Sequence, residues 1–356
     1  MKRQMIVLVL LMGLTLLTGC GEAREAEDPE NTQTWELESL AIEISKNDLS
    51  TERLLEAVTL LPDAIEDVLA EQGVSVGEVT MTIGSSPSAT IRALESGDID
   101  MAFLPAESLA EESELEAEVL LVSGPLFWNQ GEDLADWNRE PTEAPLEAGY
   151  RALICAAPTA YGRNLAAKGD LTWAEVERAR WGVLEETSIP GYQAVNLWLA
   201  DHFGGNTISD LPDVTVYNSF EELLLAASAG EIDLLPMDEG ERIDYAAAWT
   251  LPVGETDDQM GRPGQGHEGE IWEELPAVGL TERFYDTAVA VQPELSDESF
   301  SAAMDEVLRI LCHSAEIDSD IRKLSTEVFK STQSSYGPAP EGALNATRRL
   351  LTLENA

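Results

Sequence analysis

The feature that most constrains this chain is a unit it carries twice. "ALESGDIDMAFLP" runs from Ala93 to Pro105, and "LAASAGEIDLLPMD" runs from Leu225 to Asp238. Each joins a helix-like run to a glycine (Gly97, Gly230), an acidic residue, Ile, Asp and a short apolar stretch that reaches a proline. Glycine just past a helix end is a routine stop, because it enters left-handed backbone without a Cβ penalty. Each unit therefore reads as a helix C-terminus followed by a strand. In open α/β sheets the ligand crevice lies outside the carboxyl ends of strands. Two sheets facing one cleft would place Pro105-Ala106-Glu107 and Pro236-Met237-Asp238 on opposite walls. The plainer reading is that Gly-acid-Ile-Asp is common helix-to-strand punctuation.

The rest of the chain repeats that logic. Leu37 to Ile44 alternates as a strand, and Ser50 to Gln72 carries Leu54, Leu55, Val58, Leu61, Ile65, Val68 and Leu69 on one helical side. Val79 to Ile83 is a strand, "GSSPS" a turn, Pro87 to Ser96 a helix and Ile99 to Leu104 a strand. This β-α-β-α-β order argues for a mostly parallel sheet with helical crossovers. A second series follows: Tyr150 to Ala156, Ala174 to Arg180, "WGVLEE", Gln193 to Phe203, "VTVYN", Ser219 to Ala229 and Ile232 to Leu235. Asn129 to Ala148 and Leu251 to Glu274, rich in Gly and acids, read as irregular insertions. Thr287 to Val291 returns as a strand. Ser296 to Cys312, Ile321 to Lys330 and a last segment near Ala343 to Leu351 are helices.

The amino terminus bounds where such a protein works. Lys2 and Arg3 precede an apolar run from Met5 to Leu17, the layout of a secretory signal. That run is shorter than the roughly 20 residues a membrane span needs. Gly21 to Thr34, "GEAREAEDPENTQT", is too polar to offset its own ordering entropy and reads as a tether. The formal charge is −46, from 67 acidic and 21 basic residues. That excludes nucleic acid as a natural partner, since phosphate backbones need Lys and Arg. It argues only weakly against an anionic ligand, because charge is screened beyond about 8–10 Å. Cys155 and Cys312 read as two buried free thiols; the alternative, a disulfide, is chemically open to an exported protein.

Leu17-Thr18-Gly19-Cys20 resembles the lipobox of bacterial lipoproteins. That resemblance implies cleavage before Cys20 and lipidation of its thiol, so that acyl chains hold the protein at a membrane surface. The larger pattern runs from "IRALESGDIDMAFLP" through "ALICAAPTAYGRNLAAKGDLTWAEVERARWGVLEETSIPGYQAVNLWLAD" and "NSFEELLLAASAGEIDLLPMDEG" to "DTAVAVQPELSDESFSAAMDEVLRIL". It resembles the solute-binding proteins of phosphate, phosphite and phosphonate ABC transporters over about Leu37 to Leu351. The implied fold is α/β and two-lobed, the type II periplasmic-binding class, with two mixed sheets flanked by helices and joined by two hinge strands. The implied organisation is a signal peptide (1–19), an acidic tether (20–36), lobe one (37–149 with 284–356) and lobe two (150–283). Closure of two lobes about short hinges is an established mode of ligand capture.

The same resemblance implies the site. The family's anion turn, Ser-Thr-Ser-Gly-Tyr before a helix, aligns with Ser188-Ile189-Pro190-Gly191-Tyr192. A helix N-terminus offers unpaired N–H groups and positive dipole to an anion. Ser188, Gly191 and Tyr192 match that turn, and Thr187 adds a hydroxyl from the preceding position. Ile189 and Pro190 depart from the pattern, and Pro190 has no N–H to give. In lobe one Ser85, Ser86 and Ser88 stand before a helix. Asp238 falls where the family carries an acid that meets a ligand amine, with Glu239 beside it. The plainer alternatives are that Ser86, and Thr187 or Ser188, cap their own helices, and that Asp238 is a solvated acid. Phe127-Trp128 would lend an aromatic wall or belong to the core.

Chemistry beyond binding is not written in recognisable motifs. His202, His267 and His313 are scattered, and "GHEGE" at Gly266 to Glu270 is too sparse for a zinc site. No G-x-S-x-G or Cys–His pattern appears. The expectation is a non-enzymatic, cofactor-free, metal-free, monomeric lipoprotein on the extracytoplasmic face of the cell membrane. It would capture a small solute of phosphonate or phosphate type and present it to an ABC permease. The alternatives are a sensory binding lipoprotein of the same fold, a binder of amine-bearing or cationic solutes, an exported α/β enzyme, and an acidic surface protein with no small ligand.

Overall fold

The computed structural model describes residues 35–45, 49–112, 117–141, 145–329 and 335–354. The signal segment, Cys20 and almost all of the tether lie outside the described residues. The chain divides into two compact units, one of residues up to 122 with 287–339, the other of 123–286 with 340–356.

The first unit holds a six-stranded sheet in the order Ser335–Pro338, Glu118–Gly124, Thr287–Val291, Met101–Pro105, Leu40–Ser45, Val79–Gly84. Leu40–Ser45 runs parallel to both Val79–Gly84 and Met101–Pro105. The returning strand Thr287–Val291 runs antiparallel to Met101–Pro105, so the sheet is mixed. Helix Thr51–Glu71 starts where Ser50 Oγ accepts the Arg53 N–H at 3.3 Å. It buries Leu54, Ala57, Leu61, Ile65, Val68 and Leu69, a stripe at helical spacing. Leu61, Ile65, Val68 and Leu69 of that stripe pack with Ile42, Phe103, Val289, Phe300, Met304 and Phe329 in one core. Each such side chain adds about 1.5–3 kcal/mol by leaving water.

The second unit holds a five-stranded sheet ordered Val214–Val216, Trp181–Val183, Leu234–Asp238, Ala152–Ala156, Ala277–Leu280. Ala152–Ala156 is antiparallel to both of its neighbours. All five of its residues are buried, because helices cover both faces. Leu153 and Cys155 face one core with Leu235, Met237 and Trp249. Ile154 and Ala156 face the other with Trp181, Val195 and Trp198. The region read as an irregular insertion at 129–148 is built into this unit. Its strand Leu146–Ala148 pairs with Leu126–Trp128. Trp137 is fully buried, and its Nε1 donates to Gly131 O at 2.9 Å.

The repeated unit is a repeated helix stop. Gly97 and Gly230 both have positive φ, 71° and 74°. Asp98 N donates to Ala93 O and Gly97 N to Leu94 O; Glu231 N donates to Ala226 O and Gly230 N to Ala227 O. Both are Schellman closures. The second acid of each unit then braces its sheet. Asp100 Oδ2 accepts from Ala41 N at 2.8 Å. Asp233 accepts from Arg180 Nε at 2.9 Å, Arg180 Nη2 at 2.8 Å and Thr159 Oγ1 at 2.6 Å. These acids sit at the amino ends of their strands, so the repeat secures the sheets and only its last residues approach the carboxyl ends.

Cys155 and Cys312 are buried and not joined in a disulfide, as the sequence suggested. Burial pushes the Cys155 thiol up. Among the described residues no helix is long and apolar enough to cross a membrane.

Candidate functional site

In the first unit the strands Leu40–Ser45 and Val79–Gly84 end level, with Ser45 opposite Gly84. The chain then turns through Ser85 and Ser86 into helix Pro87–Glu95. Ser86 is the N-cap, its Oγ accepting the Ala89 N–H at 3.2 Å. Ser85 is exposed on the turn, and Ser88 is exposed in the first turn of the helix. Gly84 is forced by what lies beneath it: a Cβ there would stand 1.9 Å from Thr90 Oγ1 and 2.6 Å from Glu43 Oε1. The sequence reading missed Thr90 and Ser45. Both are buried, and among the described residues neither hydroxyl has a hydrogen-bond partner. A buried hydroxyl without a partner costs about 1–3 kcal/mol. Two of them lie at or just after the carboxyl ends of strands, where ligands of α/β folds bind. Glu107, at the end of Met101–Pro105, is exposed.

The second unit's turn follows strand Trp181–Val183. Thr187 is exposed, and Ser188 caps a wide π-helical turn, Ile189–Gln193, that leads into helix Ala194–His202. Ser188 Oγ accepts the Gly191 N–H at 3.1 Å. Ser188 O accepts from both Tyr192 N and Gln193 N at 3.0 Å. Gly191 is dictated by packing, since a Cβ would meet Leu184 Cβ at 2.6 Å. The wide turn accommodates Pro190, which lacks the N–H a regular first turn would present. One donor of the expected anion turn is thus absent at Pro190, and a second, Gly191 N–H, is turned inward onto Ser188. Tyr192 is half-buried against the Trp181–Trp198 core, and burial raises its phenol.

Asp238 ends strand Leu234–Asp238, opposite Ala152. Its Oδ1 accepts the Gly240 N–H, at 2.9 Å. Burial is the main cause that pushes its carboxyl up to about 6, and Asp244 adds to the rise. Glu241, at the start of the next helix, is pushed up to about 7 by burial and then by Asp238. Phe127 seats the turn: a Cβ on Gly240 would lie 2.6 Å from its ring. Trp128 points elsewhere and is exposed, so it is not core.

Glu239, beside Asp238, belongs to a different network. It is buried and takes Arg283 Nη1 at 2.8 Å and Nη2 at 3.0 Å. Arg283 Nη1 also donates to Gly149 O at 3.1 Å. Arg283 thereby ties the end of the Asp238 strand to the paired segment at Tyr150 and Phe284. Sequence reading placed Glu239 but not Arg283, which lies 44 residues on. An Arg next to "FYD" carried no local signal of a buried pair.

Within each unit the expected residues gather: Ser85, Ser86 and Ser88 on one turn, and Thr187, Ser188, Gly191 and Tyr192 on another, with Asp238 at a neighbouring strand end. Among the described residues no group of His, Cys, Asp and Glu is arranged to hold a metal ion.

A family model described as "ABC transporter, phosphonate, periplasmic substrate-binding protein" matches residues 48–334. No curated protein matches the sequence. Solved structures to which the chain is similar include a binding protein component of an ABC phosphonate transporter from Pseudomonas aeruginosa, at 13% identity and TM-score 0.33, covering 89% of this chain and 86% of that one. Another is PhnD1 from Prochlorococcus marinus in complex with methylphosphonate, at 12% identity and TM-score 0.35, covering 89% and 98%. A third is Mh-p37 of Mycoplasma hyorhinis, described as a putative thiamine pyrophosphate transporter, at 9% identity and TM-score 0.40, covering 90% and 98%.

Proposed function

This chain belongs to the phosphonate periplasmic substrate-binding proteins of ABC transporters, and from that membership we propose that it is the receptor of an importer for a small solute bearing both an oxyanion and an amine. The fold is the mixed α/β, two-lobed type II class, and the family works outside the cytoplasm as a binding component, with a membrane permease. The observation that carries the reading is the family match, which runs through the larger part of both units.

The proposed solute contacts are Ser85, Ser86 and Ser88 in the first unit, and Thr187, Ser188, Gly191, Tyr192 and Asp238 in the second. The turn hydroxyls and the helix starts behind them suit an oxyanion. Asp238 supports the amine. It is desolvated, it sits next to another raised acid, and among the described residues the hydrogen bond it accepts comes from a neutral N–H. A cation there would relieve a cost that the fold leaves in place. The missing donor at Pro190 and the inward Gly191 N–H weaken the oxyanion side, which favours a solute whose affinity leans on its amine. Cys20 is the proposed lipid anchor.

The test is a thermal-shift panel of phosphate, methylphosphonate, 2-aminoethylphosphonate and simple amines against the purified protein. A ligand that binds only the folded state adds about 2.7 kcal/mol at a hundredfold excess over its Kd. The reading expects the largest shift with 2-aminoethylphosphonate. A larger shift with methylphosphonate or phosphate would refute the amine assignment, and a shift with simple amines alone would remove the oxyanion.

A further inference from the structure

Three side chains of the second unit meet in an arrangement that solute binding does not use. Ser228 is the last residue of helix Phe220–Ser228, His267 lies on the loop between helices Glu241–Thr250 and Ile271–Glu274, and Glu274 ends the latter. Ser228 Oγ is 2.9 Å from His267 Nε2. Nδ1 of the same ring is 2.7 Å from Glu274 Oε2. The order is hydroxyl, imidazole, carboxylate: the hydroxyl is hydrogen-bonded to the imidazole, and the carboxylate stands at ion-pair distance from its other nitrogen. Such a constellation is recognised by geometry, not by sequence position.

The surroundings hold the ring in place. His267 stacks on Trp249 with centroids 3.8 Å apart and planes 3° from parallel, and Trp249 is fully buried. The loop is laced back to the helix that carries Trp249: Gln265 N donates to Ala248 O, Gly266 N to Leu251 O and His267 N to Trp249 O. Gly269 leaves room for the carboxylate, since a Cβ there would stand 2.9 Å from Glu274 Cγ. Among the described residues Glu274 Oε2 is buried and has no hydrogen-bond partner, so its approach to His267 Nδ1 is an ion-pair distance without hydrogen-bond alignment. Its charge is therefore available to an imidazolium on His267. The cluster stays reachable: the His267 side chain is 16% exposed, that of Glu274 27%, and Ser228 is half-buried. Ser228 precedes the start of strand Leu234–Asp238, while Asp238 ends it, so the two sites lie at opposite ends of that strand.

We infer that Ser228 is a nucleophile activated by His267, a site of covalent modification by small activated esters of carboxylic or phosphonic acids. Ser228 Oγ attacks the acyl carbon or the phosphorus and forms the new ester bond. The Oγ proton passes to His267 Nε2. The bond to the leaving group breaks, and that group departs with the electron pair. Glu274 stabilises the imidazolium until its proton returns to solvent. With a fluorophosphonate the leaving group is fluoride, and the product is phosphonylated Ser228.

The experiment is labelling of the purified protein with a fluorophosphonate probe, read by intact mass and peptide mapping. One adduct, on Ser228, is expected. S228A abolishes it at an unchanged melting temperature. H267Q slows labelling by about 100-fold or more, the usual range for loss of a general base. E274Q, which keeps the side-chain shape, slows it by about tenfold while the protein stays folded, so an effect of unfolding is separable from an effect on reactivity. No adduct on the folded protein, an adduct at another residue, or labelling rates indifferent to both H267Q and E274Q would overturn the inference.

Discussion

Asp238→Asn is the substitution whose outcome the structure fixes most sharply. The Asp238 carboxyl is raised from 3.8 to about 6, first by burial and then by Asp244, against relief from the Gly240 N–H and Arg283. A carboxyl raised in the folded state is easiest to fold around while protonated. Its favourable contribution is full below about pH 4 and is lost as pH rises through about 6. The shift of about two pKa units corresponds to about 3 kcal/mol of penalty on the charged form at pH 8. Asn keeps the oxygen that accepts the Gly240 N–H and removes the charge. D238N is therefore expected to be more stable than the parent by about 2–3 kcal/mol at pH 8, and equal to it at pH 4. For a unit of this size that is about 4–12 °C in melting temperature. The assay is thermal unfolding followed by tryptophan fluorescence across pH 4 to 8. A D238N protein less stable than the parent at pH 8, or a difference that does not change with pH, would refute the reasoning. A gain in stability on removing a charge is what a binding group held at a cost should show.

Other substitutions test separate parts of the account. Arg283→Met strands the buried Glu239 and is expected to cost about 3–5 kcal/mol in urea unfolding at pH 8; the cost should shrink at pH 5, because burial raises Glu239 to about 7 and it then takes a proton. Gly97→Ala and Gly230→Ala each put a Cβ on positive-φ backbone and should cost about 1 kcal/mol or more, measured by chemical denaturation; no loss in either would refute the paired helix stops. Gly191→Ala collides with Leu184 and should cost about 1–3 kcal/mol, with a neutral result showing that the wide turn yields.

What the sequence disclosed follows from how local its signals are. The double unit Gly97/Gly230 was legible because a Schellman stop is written in consecutive residues. Ala152–Ala156 was legible because a strand buried on both faces must be apolar throughout. Helix Glu241–Thr250 escaped notice, since its acidic start and buried Arg242 break the apolar stripe. Strand Ala277–Leu280 is short and carries Gly279, which sits against Trp198 with no room for a Cβ. Of the site, the turns at Ser86 and Ser188 were visible as helix starts, and both serines do cap. The buried hydroxyls of Ser45 and Thr90, and the Glu239–Arg283 pair, were not. Their meaning arises only when strand ends far apart in sequence are brought level.

The most direct test of the central claim is isothermal titration of the parent and D238N with 2-aminoethylphosphonate and with methylphosphonate. The account predicts saturable binding to the parent, with the amine-bearing solute at least tenfold tighter, and a collapse of that preference in D238N. Equal affinities for the two solutes in the parent, or a preference that survives D238N unchanged, would contradict it.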